Sequence, residues 1–135
     1  MAILLACISH ILPSYAQPRL LNAVYPYPSE EQHCLLIDKQ GLIWIGSNAG
    51  IKSYDGYRFK SYRSNTTTPN ILPSNNVLCM TEGNDDVLWI GTRNGLVSMD
   101  KKTGKFTTHN LPGTDNRIIY ALFTSHDGRI WIGTD

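Results

Sequence analysis

A short phrase occurs three times in the chain: an aliphatic residue, tryptophan, isoleucine and glycine, followed by serine or threonine. The copies occupy residues 43–47, 88–92 and 130–134, so their tryptophans lie 45 and 42 residues apart. A period of about 40 to 45 residues is typical of one four-stranded blade of a β-propeller, in which sheets are arranged around a central axis. The repeat therefore predicts that each phrase belongs to one blade.

Each copy is marked by a tryptophan and by one or two glycines. These structural repeat residues are Trp44, Gly46, Gly50, Trp89, Gly91, Gly95, Trp131 and Gly133. In the first two copies the second glycine follows the first by four residues, and an asparagine lies between them. Because glycine and asparagine tolerate positive φ, the residues between these glycines are predicted to form a tight turn between two paired strands.

Four strands are predicted in the most complete copy, at residues 77–82, 87–91, 96–100 and 105–109. The second strand is apolar at nearly every position, which is typical of a strand that neighbouring sheets bury on both faces. The fourth strand is more polar, as expected at a solvated rim. The sequence therefore predicts an all-β fold, a partial β-propeller of about two and a half four-stranded blades.

The same pattern divides the chain into segments. We expect a signal peptide at 1–16, an N-terminal lead-in at 17–32, blade 1 at 33–63, an inter-blade loop at 64–76, blade 2 at 77–109 and a truncated blade 3 at 117–135. The longest connection between repeats is predicted to run from Ser61 to Ser74. Because the third repeat stops after its second strand, we expect this sequence to be the N-terminal fragment of a longer protein.

The first sixteen residues contain no Lys, Arg, Asp or Glu, and residues 2–8 are all apolar. Ser14-Tyr15-Ala16 supplies the small-x-small pattern that signal peptidase recognises, although no basic residue follows Met1. Two alternatives remain: a lipoprotein cleavage box before Cys7, and a buried N-terminal strand or short helix. A membrane-spanning helix is disfavoured because polar residues and Pro13 interrupt the apolar run too early.

Charge and motif content exclude several functions. With 12 Lys+Arg against 11 Asp+Glu the formal net charge is +1, so the chain lacks the basic surface on which nucleic-acid binding depends. The four histidines lack the spacing of zinc ligands, and the glycines form no phosphate-binding motif. We therefore predict no catalytic residue, cofactor, metal or nucleic acid for this segment.

Cys34 and Cys79 both precede their tryptophan by ten residues, where the third copy has Ala121. A disulfide is one interpretation in an exported protein. However, sheets pack about 10 Å apart, whereas a disulfide needs Cα atoms within about 7 Å. Two small buried residues on inner strands are the favoured interpretation.

Residues 41–54, 73–100 and 118–135 resemble the propeller repeat of two-component regulators, whose consensus is roughly D-x-x-G-x-(L/I)-W-I-G-T-x-x-G-L. The resemblance covers about 100 of the 135 residues. The chain departs from this pattern at Gly83, which replaces the usual acidic residue, at Asp86, which replaces the turn glycine, and at Ser47, where threonine is usual.

This resemblance implies the periplasmic sensor region of a hybrid two-component histidine kinase, anchored in the inner membrane and dimeric in its full length. Such proteins have two successive propellers, a β-sandwich domain, one membrane span and a cytoplasmic kinase. It further implies an oligosaccharide ligand released from a complex glycan, whose binding regulates transcription. Two alternatives remain: an exported propeller glycosidase or lyase, and a small protein that assembles rings from several copies.

Four residues are candidates for ligand contact on the basis of residue type. Arg93, Asn94 and Arg117 are predicted to lie in loops, and an arginine can form forked hydrogen bonds with acidic sugars. Tyr57 can stack on the face of a pyranose ring. The alternative for each of the four is a role in packing between blades.

Overall fold

The computed structural model describes residues 30–65, 67, 71–112 and 117–135, which form ten strands and no helix. The predicted signal peptide and residues 17–29 of the predicted lead-in lie outside this part of the chain. Within the described ranges, no helix of the length and apolar character needed to cross a membrane is present.

The first repeat forms a four-stranded antiparallel sheet, here called blade 1. Its strands are β1 (Gln32–Ile37), β2 (Ile43–Ser47), β3 (Gly50–Tyr54) and β4 (Phe59–Tyr62), and they pair in chain order. Ser61 and Tyr62 pair with Lys52 and Ile51 of β3, so the outer strand continues to Tyr62. The loop predicted from Ser61 therefore begins two residues later than expected.

The second repeat forms blade 2, with the same strand order. Its strands are β5 (Val77–Glu82), β6 (Val87–Thr92), β7 (Gly95–Asp100) and β8 (Phe106–His109). Each lies within one residue of its predicted bounds.

The third repeat, blade 3, forms a two-stranded sheet from β9 (Ile119–Thr124) and β10 (Ile130–Thr134). Three antiparallel sheets of four, four and two strands confirm the predicted all-β, partial propeller. The sheets do not close into a ring.

A register shift near the start of each inner strand determines which side chains face which neighbour. In β5 the shift lies between Val77 and Cys79, and blade 1 has its shift between Gln32 and Cys34. As a result Val77 packs beside Gly46 of blade 1, whereas the Cys79 thiol lies beside Gly91 on the face toward blade 3.

The core lies between blades 1 and 2. Its buried members are Trp44, Ile51, Leu72, Val77, Leu88, Ile90, Val97 and Met99. Full burial of one such side chain stabilises the folded state by roughly 1.5–3 kcal/mol. The largest member, Trp44, is 1% exposed, so the repeat tryptophan is a central packing element of the blade interface.

The repeat tryptophan also packs against the outer strand of its own blade. The ring centroids of Trp44 and Tyr62 are 5.9 Å apart, and those of Trp89 and His109 are 4.7 Å apart. Tyr62 and His109 occupy the same repeat position, because they pair with Ile51 and Leu96 at equivalent sites of β3 and β7. A tyrosine ring in blade 1 and a histidine ring in blade 2 therefore pack against the repeat tryptophan from the same position.

Candidate functional site

A hydroxyl group closes the turn that follows each complete copy of the repeated phrase. In blade 1, Ser47 Oγ donates to the carbonyl of Gly50 (3.2 Å) and accepts from the amide of Ala49 (3.0 Å). In blade 2, Thr92 Oγ1 makes the same two contacts, with Gly95 (2.8 Å) and Asn94 (3.1 Å). This explains why serine and threonine are interchangeable at this position of the repeat.

These two turns lie at the same end of the sheets, here called the loop end. The amide of Gly50 donates to the carbonyl of Asn75 (2.7 Å), and the amide of Arg93 donates to that of Asn76 (3.0 Å). Both turns therefore border the segment that leads into β5. The loop end also receives the connections that enter the inner strands.

Three of the four candidate ligand contacts lie at the loop end. Asn94 and Arg117 are exposed and line the same shallow cavity of about 70 Å³, between blades 2 and 3. Arg93 lies in the same turn as Asn94, and its exposed guanidinium makes no hydrogen bond to the described residues. Arg117 Nη1 donates to the backbone carbonyl of Asp135.

The fourth candidate, Tyr57, lies at the opposite end of the sheets. It belongs to the turn between β3 and β4, where its amide donates to Asp55 Oδ1 (2.8 Å), and its side chain is 93% exposed. Because antiparallel strands reverse direction at each turn, this turn is one strand length away from the turn that precedes β3. Tyr57 is therefore not in the same patch as Arg93, Asn94 and Arg117.

His109 also lines the loop-end cavity. Burial lowers the pKa of His109 below its usual value of 6.5, so the ring is neutral at pH 7. Its Nε2 lies 2.8 Å from Ser98 Oγ. Together with the contact to Trp89, this hydrogen bond fixes the ring as one wall of the cavity.

Sequence reasoning missed a buried polar cluster at the opposite end, between blades 1 and 2. Lys101 Nζ donates to Asp38 Oδ2 (2.9 Å), Glu82 Oε1 (2.6 Å) and Gln40 Oε1 (2.5 Å). The side chains of Lys101, Asp38 and Glu82 are only 8%, 1% and 10% exposed. All three ammonium protons therefore have acceptors, and the acceptors come from both blades.

Asp38 is the central acceptor of this cluster. Its Oδ2 also accepts from the indole Nε1 of Trp44 (2.9 Å), and its Oδ1 accepts from the amides of Gln40 and Leu42 (3.0 and 2.9 Å). Burial acts to raise the pKa of Asp38, but the hydrogen bonds from Trp44, Lys101 and Leu42 outweigh it and hold the pKa below 3.8. Asp38 is thus an ionised, fully bonded carboxylate.

The polar cluster borders an open pocket of about 450 Å³, large enough for a small organic ligand. Tyr62 and Trp44 form its aromatic lining, and Asp86 and Lys102 lie at its rim. Asp86 accepts from Gln40 Nε2 (2.6 Å) and pairs with Lys102 (3.0 Å). Because these charged groups are paired with one another, the pocket presents few polar atoms to a ligand.

The other two repeats lack an equivalent carboxylate. Gly83 occupies the position of Asp38 in blade 2, and a Cβ there would lie 2.7 Å from Trp89 Nε1. Ser125 occupies it in blade 3, where its hydroxyl contacts Asp127 and Arg129 instead of Trp131. The spacing of Asp38 to Trp44 was the signal available in the sequence. Its partner Lys101, 63 residues away, had no such signal.

The two inner-strand cysteines are free thiols. Burial raises the pKa of Cys34 to about 11 and that of Cys79 to about 12. Among the described residues no group of His, Cys, Asp and Glu has the arrangement of a metal site.

Comparison with sequence families finds one match, described as the two-component regulator propeller. It matches residues 30–49, 71–94 and 112–135, which together make up half of the chain. All three copies of the repeat lie within the matched segments. No curated protein sequence matches the chain.

Comparison with solved structures finds similar folds in two kinds of protein. The extracellular domain of a hybrid two-component system from B. thetaiotaomicron is 28% identical over 76% of this chain, with a TM-score of 0.66. A virginiamycin B lyase from Staphylococcus aureus, bound to quinupristin, is 20% identical over 82% of this chain, also with a TM-score of 0.66. The chain spans 15% of the sensor domain and 36% of the lyase.

Proposed function

Because the chain belongs to the two-component regulator propeller family, we propose that it is part of the extracytoplasmic sensor region of a hybrid two-component signalling protein. The observation that supports this most directly is the family match, which includes all three repeats. The 28% identity to an extracellular domain of a hybrid two-component system supports it further.

Under this proposal the parent protein is exported to the periplasm and anchored in the inner membrane as a homodimer. Its kinase modules would belong to the same polypeptide. The mechanism is a shift between two arrangements of the parent protein, which requires that a ligand bind one arrangement more tightly than the other. This segment contributes ligand contacts and no catalysis.

The ligand we propose is an oligosaccharide derived from a glycan, bound at the loop end. Arg93, Asn94 and Arg117 place two guanidinium groups and one amide on the exposed surface there. Guanidinium and amide groups suit the hydroxyl and carboxylate groups of sugars. The cavity between blades 2 and 3, about 70 Å³, is smaller than a sugar ring, so the oligosaccharide would lie across the surface.

The 450 Å³ pocket at the opposite end is a weaker candidate. Its buried Asp38 and Lys101 are paired with each other, and a ligand there would have to break this pairing. A glycosidase or lyase function is not proposed, because 20% identity to the lyase is a likeness of fold alone.

Calorimetric titration of the chain with neutral and uronic-acid-containing oligosaccharides tests the proposal. We expect saturable binding of at least one class, weakened about tenfold by Arg93→Ala or Arg117→Ala, which is about 1.4 kcal/mol. Arg58→Ala is the matched control, since Arg58 is an exposed arginine at the opposite end. Equal weakening by Arg58→Ala, or no saturable binding by either class, would contradict the proposed site.

A further inference from the structure

Each of the three repeats has a β-bulge at the same position, near the start of its inner strand. The register shifts of β1 and β5 recur in β9, where Ile119 pairs with Thr134 and Ala121 pairs with Gly133. In each inner strand one residue is therefore left without a partner in the next strand. We call these three bulged residues the bulge row: His33, Leu78 and Tyr120.

The bulge row lies at the free edge of the inner strands. β1, β5 and β9 each pair with only one other strand of the described chain. In β5, Val77 faces blade 1 and Cys79 faces blade 3, so Leu78 between them belongs to neither packed face. Leu78 is accordingly only half-buried although blade 2 has a neighbour on both sides, whereas Val77 is 0% exposed.

Two hydrogen bonds join the three inner strands at the level of the bulges. His33 Nδ1 donates to the carbonyl of Val77 (2.8 Å), the residue before the bulge of β5. Cys79 Sγ donates to the carbonyl of Ile119 (3.5 Å), the residue before the bulge of β9. The bulged residues therefore follow one another across the loop end, from blade 1 to blade 3.

Tyr120 is the exposed aromatic residue of the bulge row. It is 58% exposed, and its hydroxyl makes no hydrogen bond to the described residues. Ile119 packs beside Gly91 of blade 2, and Ala121 lies beside Gly133 on the opposite face of blade 3. Tyr120 lies on neither of these faces, so its ring is presented at the edge of the sheet. A β-bulge commonly redirects a side chain in this way, and bulges are frequent beside functional sites.

The ligand site proposed at the loop end has polar groups but no aromatic surface. Arg117 precedes Tyr120 by three residues, and its Nη1 donates to the carbonyl of Asp135, just after β10. The guanidinium therefore lies at the end of the strand pair to which Tyr120 belongs. A pyranose ring has an apolar C–H face and a rim of hydroxyl groups. An aromatic ring suits the face, and a guanidinium suits the rim.

We propose that Tyr120 is the residue on which a pyranose ring of the oligosaccharide stacks, with the rim of that ring toward Arg117. The neighbouring sugar units extend along the bulge row toward Leu78 and His33. Tyr120 thereby selects ligands in which at least one pyranose ring has a free C–H face. The inference rests on the proposed function, because it adds a contact and a specificity to the same ligand site.

Calorimetric titration of tyrosine variants with cellotetraose and with tetragalacturonic acid tests this inference. For a probe that binds the original chain, Tyr120→Ala should weaken binding about tenfold, whereas Tyr120→Phe keeps the ring and should stay within about twofold. Tyr57→Ala is the matched control, because Tyr57 is an exposed tyrosine at the opposite end. It should leave binding unchanged. Circular dichroism checks that each variant is folded.

Contact with the ligand is also observed directly in the chain labelled with 3-fluorotyrosine. With the ¹⁹F signals assigned by Tyr120→Phe and Tyr57→Phe, the probe should shift the signal of Tyr120 and not that of Tyr57. Binding that Arg117→Ala weakens but Tyr120→Ala does not would overturn this inference and leave the proposed function standing. Equal weakening by Tyr120→Phe and Tyr120→Ala would also overturn it, because the ring would not be the contact. Absence of saturable binding by both probes would overturn the inference and the proposed function together.

Discussion

Lys101 Nζ, just after β7 in blade 2, lies 2.9 Å from Oδ2 of Asp38, in the first turn of blade 1. Both side chains are at least nine-tenths buried. Removing one member of a buried pair leaves an uncompensated charge, which costs about 3–5 kcal/mol. The packing of the two blades against each other therefore depends on the charges of Asp38 and Lys101.

The first prediction concerns the cation. Lys101→Met keeps the aliphatic chain but leaves Asp38 and Glu82 without their ammonium partner. We expect the free energy of unfolding to fall by about 3–5 kcal/mol, measured by urea denaturation. Lys102→Met is the control, because the Lys102 side chain is 74% exposed and its pair with Asp86 is worth at most about 1 kcal/mol. Similar losses in both variants would refute the special role of Lys101.

The second prediction concerns the carboxylate. Asp38→Ala removes the acceptor of the buried Trp44 indole and of two backbone amides, and each unsatisfied donor costs about 1–3 kcal/mol. We expect destabilisation of at least about 2 kcal/mol and a changed Trp44 fluorescence. Ser125→Ala, at the same repeat position but half-buried and without a contact to its tryptophan, should cost less than about 1 kcal/mol. An Asp38→Ala chain as stable as Ser125→Ala would contradict this account.

The third prediction is a pH dependence. The pKa of Asp38 lies below 3.8 in the folded protein, so its contribution is present above pH 3.8 and lost as pH falls through the lowered pKa. Burial acts to lower the pKa of Lys101, but the hydrogen bonds that its ammonium donates to Glu82 and Asp38 raise it above 10.5. The Lys101 contribution is therefore present below pH 10.5 and lost as pH rises through the raised pKa.

The difference in unfolding free energy between the original chain and Lys101→Met should accordingly be present at neutral pH and shrink toward pH 3 and toward pH 11. Taking this difference cancels the separate effect of His109, whose lowered pKa makes the folded state less stable below pH 6.5. Denaturation curves at intervals from pH 3 to pH 11 provide the measurement. A difference that is unchanged at pH 3 and at pH 11 would argue against the pair.

The fourth prediction concerns the glycine that follows Trp-Ile in each repeat, at Gly46, Gly91 and Gly133. Gly46→Ala places a Cβ 2.5 Å from Cys34 Sγ and 2.8 Å from Val77 Cγ1, so the interface must open. We expect a loss of about 1–3 kcal/mol, as for other overpacked cores, and a similar loss for Gly91→Ala. A Cβ at Gly133 would come no closer than 3.2 Å to another atom, Cβ of Ala121, so Gly133→Ala should change stability by less than about 1 kcal/mol. Chemical denaturation of the three variants ranks them. An equal loss of stability in Gly133→Ala would show that close packing between blades is not what makes Gly46 and Gly91 necessary.

The fifth prediction concerns thiol reactivity. With pKa values of about 11 and 12, Cys34 and Cys79 are almost entirely protonated at pH 8, and thiolate is the reactive form. In a Cys7→Ser background we expect iodoacetamide to label the folded chain at least tenfold more slowly than the chain in 8 M urea. Labelling at equal rates in the two states would show that the inner strands are not buried as described.

The repeated phrase made the strands and turns predictable, because Trp44, Trp89 and Trp131 mark the register of every blade. The same phrase could not predict the Lys101–Asp38 contact. That contact joins residues of different blades that no local pattern relates, and it depends on how the sheets stack. Tyr57 was grouped with Arg93 by residue type, yet strand direction places the two at opposite ends. The sequence therefore indicates what each side chain can bind, whereas only the fold determines which side chains lie together.

The packing of consecutive blades is tested most directly by nuclear Overhauser effects between blades 1 and 2 and between blades 2 and 3. We predict cross-peaks from the Gly46 α-protons to the Val77 methyl groups and from the Gly91 α-protons to the Ile119 γ2-methyl group, in the native chain labelled at its methyl groups. Both pairs join consecutive blades and are separated by more than 25 residues in sequence. Absence of both cross-peaks, with the strand pairings within each blade intact, would contradict the stacking of the repeats as consecutive propeller blades.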